Sequence, residues 1–410
     1  METSTATSPG WVRTLGTWLV ATVWIALVAG LSSGLFLWAL ERATDLHGQH
    51  PWLVWLLPVA GLVSGWVYWK WGQDSEAGNN LILREIRAPK EPIPFLMAPL
   101  VLGGTLLTHL FGGSAGREGT AVQMAGSLSD LVSRPLRLTP SDRRILLRAS
   151  IAGGFAAVFG TPLAGTLFAL EVVASKGSRW AALFPALGAA VLADQVVRIL
   201  PVHHTHYDTG PLDDGVGAWV ACLAFGLVAG LVARAFAGAV RRVGGFCRRH
   251  VAWPPLRPFL GGLVVAGLAA LVGTRWLGLG IPGIAASFAA SGSLLEPLGK
   301  LVFTALTVGS GFKGGEVTPL FHIGSTLGSA LAPFLHMEVG TLAAVGFVAV
   351  FAGATNTPLA CTMMAIELFG PGIAPMAGLA CATAWVTSGR PGIYPGSRAS
   401  PRSRSRGRVV

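Results

Sequence analysis

Uncharged stretches long enough to cross a bilayer recur along this chain, at 14–40, 92–116, 149–170, 215–233, 277–295, 339–366 and 368–389. About 20 apolar residues suffice for one helical crossing. The chain therefore reads as an all-α polytopic integral membrane protein. Composition agrees: 52% of residues are hydrophobic and 12% charged, against about 25% charged in an ordinary soluble domain. Soluble and single-span proteins are excluded. The first run is too long for a signal-peptide core and lacks a cleavage site, so it reads as a retained helix. Cys222, Cys247, Cys361 and Cys381 lie in or beside apolar segments without paired spacing. They read as small core residues rather than bridges or metal ligands.

The formal net charge of +11 is not a nucleic-acid signature, because the basic residues cluster in short connections. One holds Arg134, Arg137, Arg143, Arg144 and Arg148; another holds Arg234, Arg241, Arg242, Arg248, Arg249 and Arg257. The connection at 201–214 carries Asp208, Asp213 and Asp214 instead. Basic loops stay on the cytoplasmic side. This predicts a multi-pass membrane protein with the acidic loop outside and the C-terminus cytoplasmic. The basic end, 396–410, reads as a disordered cytoplasmic tail, with contact to anionic membrane lipid as its other reading. Residues 1–10 are a polar lead-in.

Gly (55) and Pro (26) are scattered through the apolar segments. Membrane helices tolerate such breaks only where protein or a water-filled cavity satisfies the freed backbone. Many helices should therefore be short, tilted or discontinuous, a transporter-like pattern. One break, Gly112-Gly113-Ser114-Ala115-Gly116-Arg117-Glu118-Gly119-Thr120, places an arginine and a glutamate between long apolar segments. A carboxylate there is costly. Glycines on its approach leave N–H groups free for an anion, and a helix starting there adds a partly positive end. The stretch predicts a site where an anion and the Glu118 carboxylate compete for the same donors.

The chain is also internally duplicated. Thr161-Pro162-Leu163-Ala164 followed by Glu171 recurs as Thr357-Pro358-Leu359-Ala360 followed by Glu367, at an offset of 196. Upstream, Glu118, Thr120 and Gly126 match Glu316, Thr318 and Gly324 at 198. This places repeat one near 11–200 and repeat two near 215–395, with Glu316 as the twin of Glu118. Inverted-repeat transporters put their sites at the repeat interface. The competing reading is that the glycines only allow close packing, with each glutamate paired to Arg117 or Lys313.

Two further polar breaks occur. Gly78-Asn79-Asn80 follows an apolar segment and reads either as a turn and N-cap or as amide donors at a helix start. Gly392-Ile393-Tyr394 holds a tyrosine that is either an interfacial anchor or a donor to an anion. Gly112–Gly116 formally matches the G-x-S-x-G of a hydrolase, but no strand–turn–helix context accompanies it. The chain therefore reads as a transporter rather than an enzyme, without catalytic residues or a cofactor. His203, His204 and His206 with Asp208 form a weak metal-ligand pattern on an exposed loop. Gly309–Gly315 lacks the ending of a phosphate loop.

With these stretches in place, the chain resembles the chloride-channel and chloride/proton-antiporter (CLC) family over about 11–395. That family's anion-binding stretches GSGIP, GREGP, GGIFAP and a C-terminal GIY-type tyrosine appear here in order. They are Gly78–Ile82 (GNNLI), Gly116–Thr120 (GREGT), Gly314–Pro319 (GGEVTP) and Gly392–Tyr394. The resemblance implies two inverted-topology repeats and a homodimer; the paired C-terminal regulatory domains of many family members are not expected, since the chain ends shortly after Tyr394. Asn79 replaces the serine usual in chloride carriers, Glu316 enters the third stretch, and Val172 stands where an inner proton-handling glutamate is usual. These departures resemble the bacterial fluoride/proton antiporter branch rather than chloride channels or exchangers. The resemblance then implies gating and proton transfer by Glu118 and Glu316. It implies fluoride contacts around Gly78, Asn79, Asn80, Gly116, Arg117, Gly119, Val317, Thr318 and Tyr394.

Overall fold

The computed structural model describes residues 10–173, 179–201, 207–212, 215–389 and 392–394. Sixteen α-helices occur among them. The first eight are α1 (Gly10–Gln49), α2 (Leu57–Trp71), α3 (Asn79–Arg87), α4 (Met97–Leu110), α5 (Glu118–Asp130), α6 (Pro140–Phe159), α7 (Pro162–Glu171) and α8 (Leu183–Ile199). The second eight are α9 (Val216–His250), α10 (Leu256–Val272), α11 (Ile281–Ala289), α12 (Leu295–Ser310), α13 (Val317–Leu335), α14 (Val339–Thr355), α15 (Pro358–Phe369) and α16 (Ala374–Ser388). His203, His204 and His206 lie outside the described residues.

The chain carries its bulky apolar side chains outward. On α1, Leu19, Val23, Leu27, Leu31 and Leu35 are exposed while Ala21, Ile25, Ala29 and Phe36 are buried. On α9, Trp219, Val220, Leu223, Leu227 and Leu231 are exposed over buried Cys222, Phe225, Ala229 and Ala233. Outward leucine at helical spacing suits hydrocarbon, and small inward residues let helices approach closely. Gly324 of α13 and Gly346 of α14 show that approach: a Cβ on either would enter the other's backbone.

Several uncharged runs are not single spans. The run 149–170 breaks where Gly160 ends α6 in the left-handed region (φ 68°), and Pro162 then starts α7. The run 339–366 breaks the same way, at Asn356 (φ 62°) and Pro358. A left-handed cap followed by proline stops one helix and starts the next in a new direction. At 92–116, α4 stops at Leu110 and the glycine-rich stretch follows as open backbone. Helix ends therefore lie inside the protein, as the scattered glycine and proline predict.

The two halves exchange caps. Glu171, ending α7, accepts from Leu359 N and Ala360 N at the start of α15 (3.3 and 3.0 Å). Glu367, near the end of α15, accepts from Leu163 N and Ala164 N at the start of α7 (2.9 and 2.8 Å). Each carboxylate satisfies orphan N–H groups at the partly positive end of its counterpart helix. The duplicated Thr-Pro-Leu-Ala…Glu pattern therefore has a physical use.

Candidate functional site

Two connections meet at the centre. Between α4 and α5, Gly113 N donates to Thr108 O (2.7 Å); between α12 and α13, Phe312 N donates to Thr307 O (3.3 Å). Gly112 and Gly311 turn the chain with φ 80° and 114°. The connections join in an antiparallel bridge, with Gly116 and Gly315 exchanging two N–H···O bonds of 2.6 Å. Arg117 then caps α5 and Glu316 caps α13, so the first helical residues are Glu118 and Val317.

This register corrects the sequence alignment by one residue. The twin of Glu118 is Val317, and Glu316 is the twin of Arg117. The shared glutamate suggested an offset of 198, but the paired backbone sets 199. One residue is about 100° around a helix, so Glu118 and Glu316 serve different places.

Three helix N-termini converge on a cavity of about 20 Å³, lined by Asn79 of α3, Glu118 and Gly119 of α5, and Val317 of α13. Tyr394 closes one side, and Phe155, Phe168 and Val172 supply an apolar wall. This volume holds about one water-sized particle. Gly78, at φ 53°, turns the chain into α3 and lies against the Gln123 amide, which a Cβ would approach to 3.1 Å. Asn79 Oδ1 is buried without a protein partner, and a Cβ on Gly119 would stand 3.0 Å from Asn79 Nδ2.

Glu118 is 2% exposed. Its Oε1 accepts from the Thr318 N–H at 3.1 Å and from the Thr318 hydroxyl. Its Oε2 has no partner and lies over the bridge, where a Cβ on Gly116 or Gly315 would come within 2.7 Å. The carboxylate thus holds a donor at the head of α13 that an anion would otherwise use. Among the described residues, neither Glu118 nor Glu316 forms an ion pair. The pairing expected under the alternative reading, with Arg117 or Lys313, does not occur.

The small cavity lies between two others. Asn79 and Tyr394 also line a cavity of about 190 Å³, together with Gly78, Asn80, Lys313 and Glu316. Arg117 and Thr318 line one of about 40 Å³, with Tyr207 and Phe321. Helix α9 gives their order. It starts beside the acidic segment, which holds Tyr207 and Asp208, and ends at Arg248, Arg249 and His250. Near the latter end, Arg241 Nη1 donates to Gly392 O (3.1 Å), so the 190 Å³ cavity belongs to the basic end. The spaces follow one another across the protein, interrupted where Glu118 meets Thr318. A separate cavity of about 760 Å³, lined by His47, His109 and His322, reaches neither Glu118 nor Asn79.

The expected residues thus divide into three groups. Asn79, Glu118, Gly119, Val317 and Tyr394 surround the small cavity; Gly78, Asn80 and Glu316 face the basic-end vestibule; Arg117 and Thr318 lie beyond the carboxylate. Gly116 supplies the bridge. Tyr394 reaches the centre because Ile393 N donates to Ala354 O (2.9 Å), and its ring meets Phe168 edge-on at 6.5 Å.

Residues outside the motifs hold this arrangement. Arg143 of α6 bonds Glu85 of α3 at 2.8 Å and Asp130 of α5 at 2.8 Å, and Asp130 also accepts from Ile93 N at 2.7 Å. Arg143 therefore ties the far ends of the two helices whose N-termini carry Asn79 and Glu118. Phe155 and Phe168 were equally invisible among apolar residues. Arg143 and Arg148, expected in a short basic connection, instead lie buried in α6, and Arg234 and Arg241 lie within α9 rather than in a loop.

The family profile "Voltage gated chloride channel" matches residues 60–389. A "Chloride/fluoride channel protein" of Pseudomonas syringae pv. tomato is 50% identical over 390 residues, covering 93% of this chain and 86% of that protein. An "H(+)/Cl(-) exchange transporter ClcA" of Yersinia pestis bv. Antiqua is 31% identical over 315 residues, 72% of this chain and 66% of that one. The crystal structure of a CLC-type fluoride/proton antiporter superposes with a TM-score of 0.91 at 35% identity, covering 96% of this chain and all of that one.

Proposed function

Because the chain belongs to the voltage-gated chloride channel (CLC) family, we propose that it is a fluoride/proton antiporter exporting fluoride from the cytoplasm in exchange for protons. The single observation carrying this reading is the position of Glu118. Its carboxylate takes the Thr318 donors beside a one-particle cavity lined by Asn79 and Tyr394. Ionised, Glu118 closes the route. Protonated, it loses its claim on those donors and lets an anion take them.

Fluoride is small and strongly hydrated, so leaving water is costly unless protein donors replace the lost hydrogen bonds. The Asn79 amide, the Tyr394 hydroxyl and the N–H groups heading α3, α5 and α13 supply such donors. Glu316, in the basic-end vestibule, takes the second proton-linked position in place of the carboxylate missing at Val172. It must be neutral for part of the cycle, since a permanent charge there repels the anion. Gly78, Asn80, Gly116, Arg117, Gly119, Val317 and Thr318 shape the path.

The two repeats, near 11–200 and 215–395, sit in a bacterial inner membrane with the basic end and C-terminus cytoplasmic. A second copy of the chain completes a homodimer. Crosslinking in membranes tests this dimer; a monomer-only product overturns it. The deciding experiment uses purified protein in liposomes, with fluoride, chloride and proton flux followed together under opposed gradients. Uphill proton movement driven by fluoride supports the reading. Chloride-driven movement without fluoride preference overturns it.

A further inference from the structure

Resting on the antiport reading above, we propose that Lys313 captures the transported anion in the vestibule before it meets Asn79 and Glu118. In this role Lys313 sets affinity on that side without taking part in proton coupling.

Lys313 lines the 190 Å³ vestibule with Asn79, Tyr394, Glu76 and Glu316. Its stem packs against Gly104, where a Cβ would come within 2.9 Å of Lys313 Cγ. Its Nζ stands 3.8 Å from the centre of the Tyr68 ring. It joins none of the ion pairs among the described residues. A cation over an aromatic face is stabilised without using up its N–H donors. The stem and ring contacts thus hold the ammonium at the vestibule wall, outside every ion pair of the described residues.

The register between the repeats marks this lysine as a departure. An offset of 199 puts Ser114 opposite Lys313. Ser114 is fully buried, its Oγ bonded to Thr304 Oγ1 (2.9 Å) and its N–H to Thr307 Oγ1 (3.2 Å). Repeat one therefore seals its connection into the interior at the position where repeat two turns a charge toward the route.

The vestibule needs that charge. Glu76 and Glu316 both face it, and each ionised carboxylate raises the energy of an arriving anion. A lysine offsets them locally. Its compact ammonium carries three donors, able to replace hydration water as fluoride moves from the vestibule toward a cavity with room for one particle.

The test uses Lys313→Met, with KM and kcat measured separately from each side of reconstituted, uniformly oriented protein. Loss of a charged hydrogen-bond donor should raise the vestibule-side KM by about tenfold. The KM from the other side and the proton-to-fluoride ratio should stay at wild type. Lys313→Arg should recover most of the affinity. An unchanged vestibule-side KM overturns the proposal, as does a fall in kcat with KM unchanged, which marks a structural role. Lys313→Gln carries the same expectation if Lys313→Met does not fold. Chloride run in parallel separates the two inferences: a wild type that moves only chloride overturns the fluoride reading, and the chloride KM still decides the role of Lys313.

Discussion

The α4–α5 and α12–α13 connections share one backbone plan. Each closes with a hydrogen bond from the residue directly after the glycine that turns the helix end, each gives one glycine to the central bridge, and each starts a helix two residues later. Their side chains diverge. Repeat one places Ser114, Arg117 and Glu118 where repeat two places Lys313, Glu316 and Val317. The duplicated feature is the backbone that brings N–H donors to the centre. What each connection does with those donors was free to change, because the bridge uses main-chain atoms alone.

Breaking the asymmetry at its strongest point should have the largest effect. Glu118→Gln has no ionised carboxylate to compete with the anion, so fluoride-driven proton flux should vanish. Persisting coupled flux in this variant would remove Glu118 from the gate. Next is the anchoring, which also differs between the halves. Repeat one ties α3 and α5 through Arg143, whereas α13 packs on α14 through Gly324 and Gly346. Arg143→Met leaves two carboxylates buried without their partner and should cost about 3–5 kcal/mol. It should appear as a lowered thermal midpoint in detergent.

Smaller effects sharpen the comparison at the cavity. Asn79→Ala removes a donor from the repeat-one side and should cut fluoride preference over chloride by about tenfold. Unchanged selectivity would return Asn79 to a turn-and-cap role. Thr318→Val removes the hydroxyl but keeps the N–H to Glu118 Oε1. With one donor of two retained, the proton-to-fluoride ratio should survive while the rate changes a few-fold, by about 1 kcal/mol. Loss of coupling equal to that of Glu118→Gln would make the hydroxyl an essential part of the gate.

The stretches around Asn79, Glu118, Glu316 and Tyr394 were legible because polar residues on glycine breaks stand out in apolar surroundings. Thr318 was legible as a neighbour of that pattern, but not as the direct partner of Glu118, since 200 residues separate them. Scattered glycine and proline announced that helices break, but not that Gly160 and Asn356 are where the runs 149–170 and 339–366 do so. Hydropathy averages over side chains and does not register a left-handed backbone. Phe155 and Phe168 were hidden for a related reason: nothing distinguishes a phenylalanine walling a cavity from one filling a core.

By itself the sequence determined that the chain is a helical membrane protein, that it is duplicated, and that its polar breaks cluster in a few glycine-rich stretches. These follow from local quantities: transfer energy, helix-breaking residues and repeated spacing. Tertiary structure alone decided that Val317, not Glu316, is the twin of Glu118, because the Gly116–Gly315 bridge sets the register and identical letters do not. It also decided that Glu118 rests on Thr318, that Glu171 and Glu367 exchange caps, and that Lys313 faces a vestibule. Each depends on where two distant backbones meet, and a hydrogen bond between residues 200 apart leaves no local trace in the order of the chain.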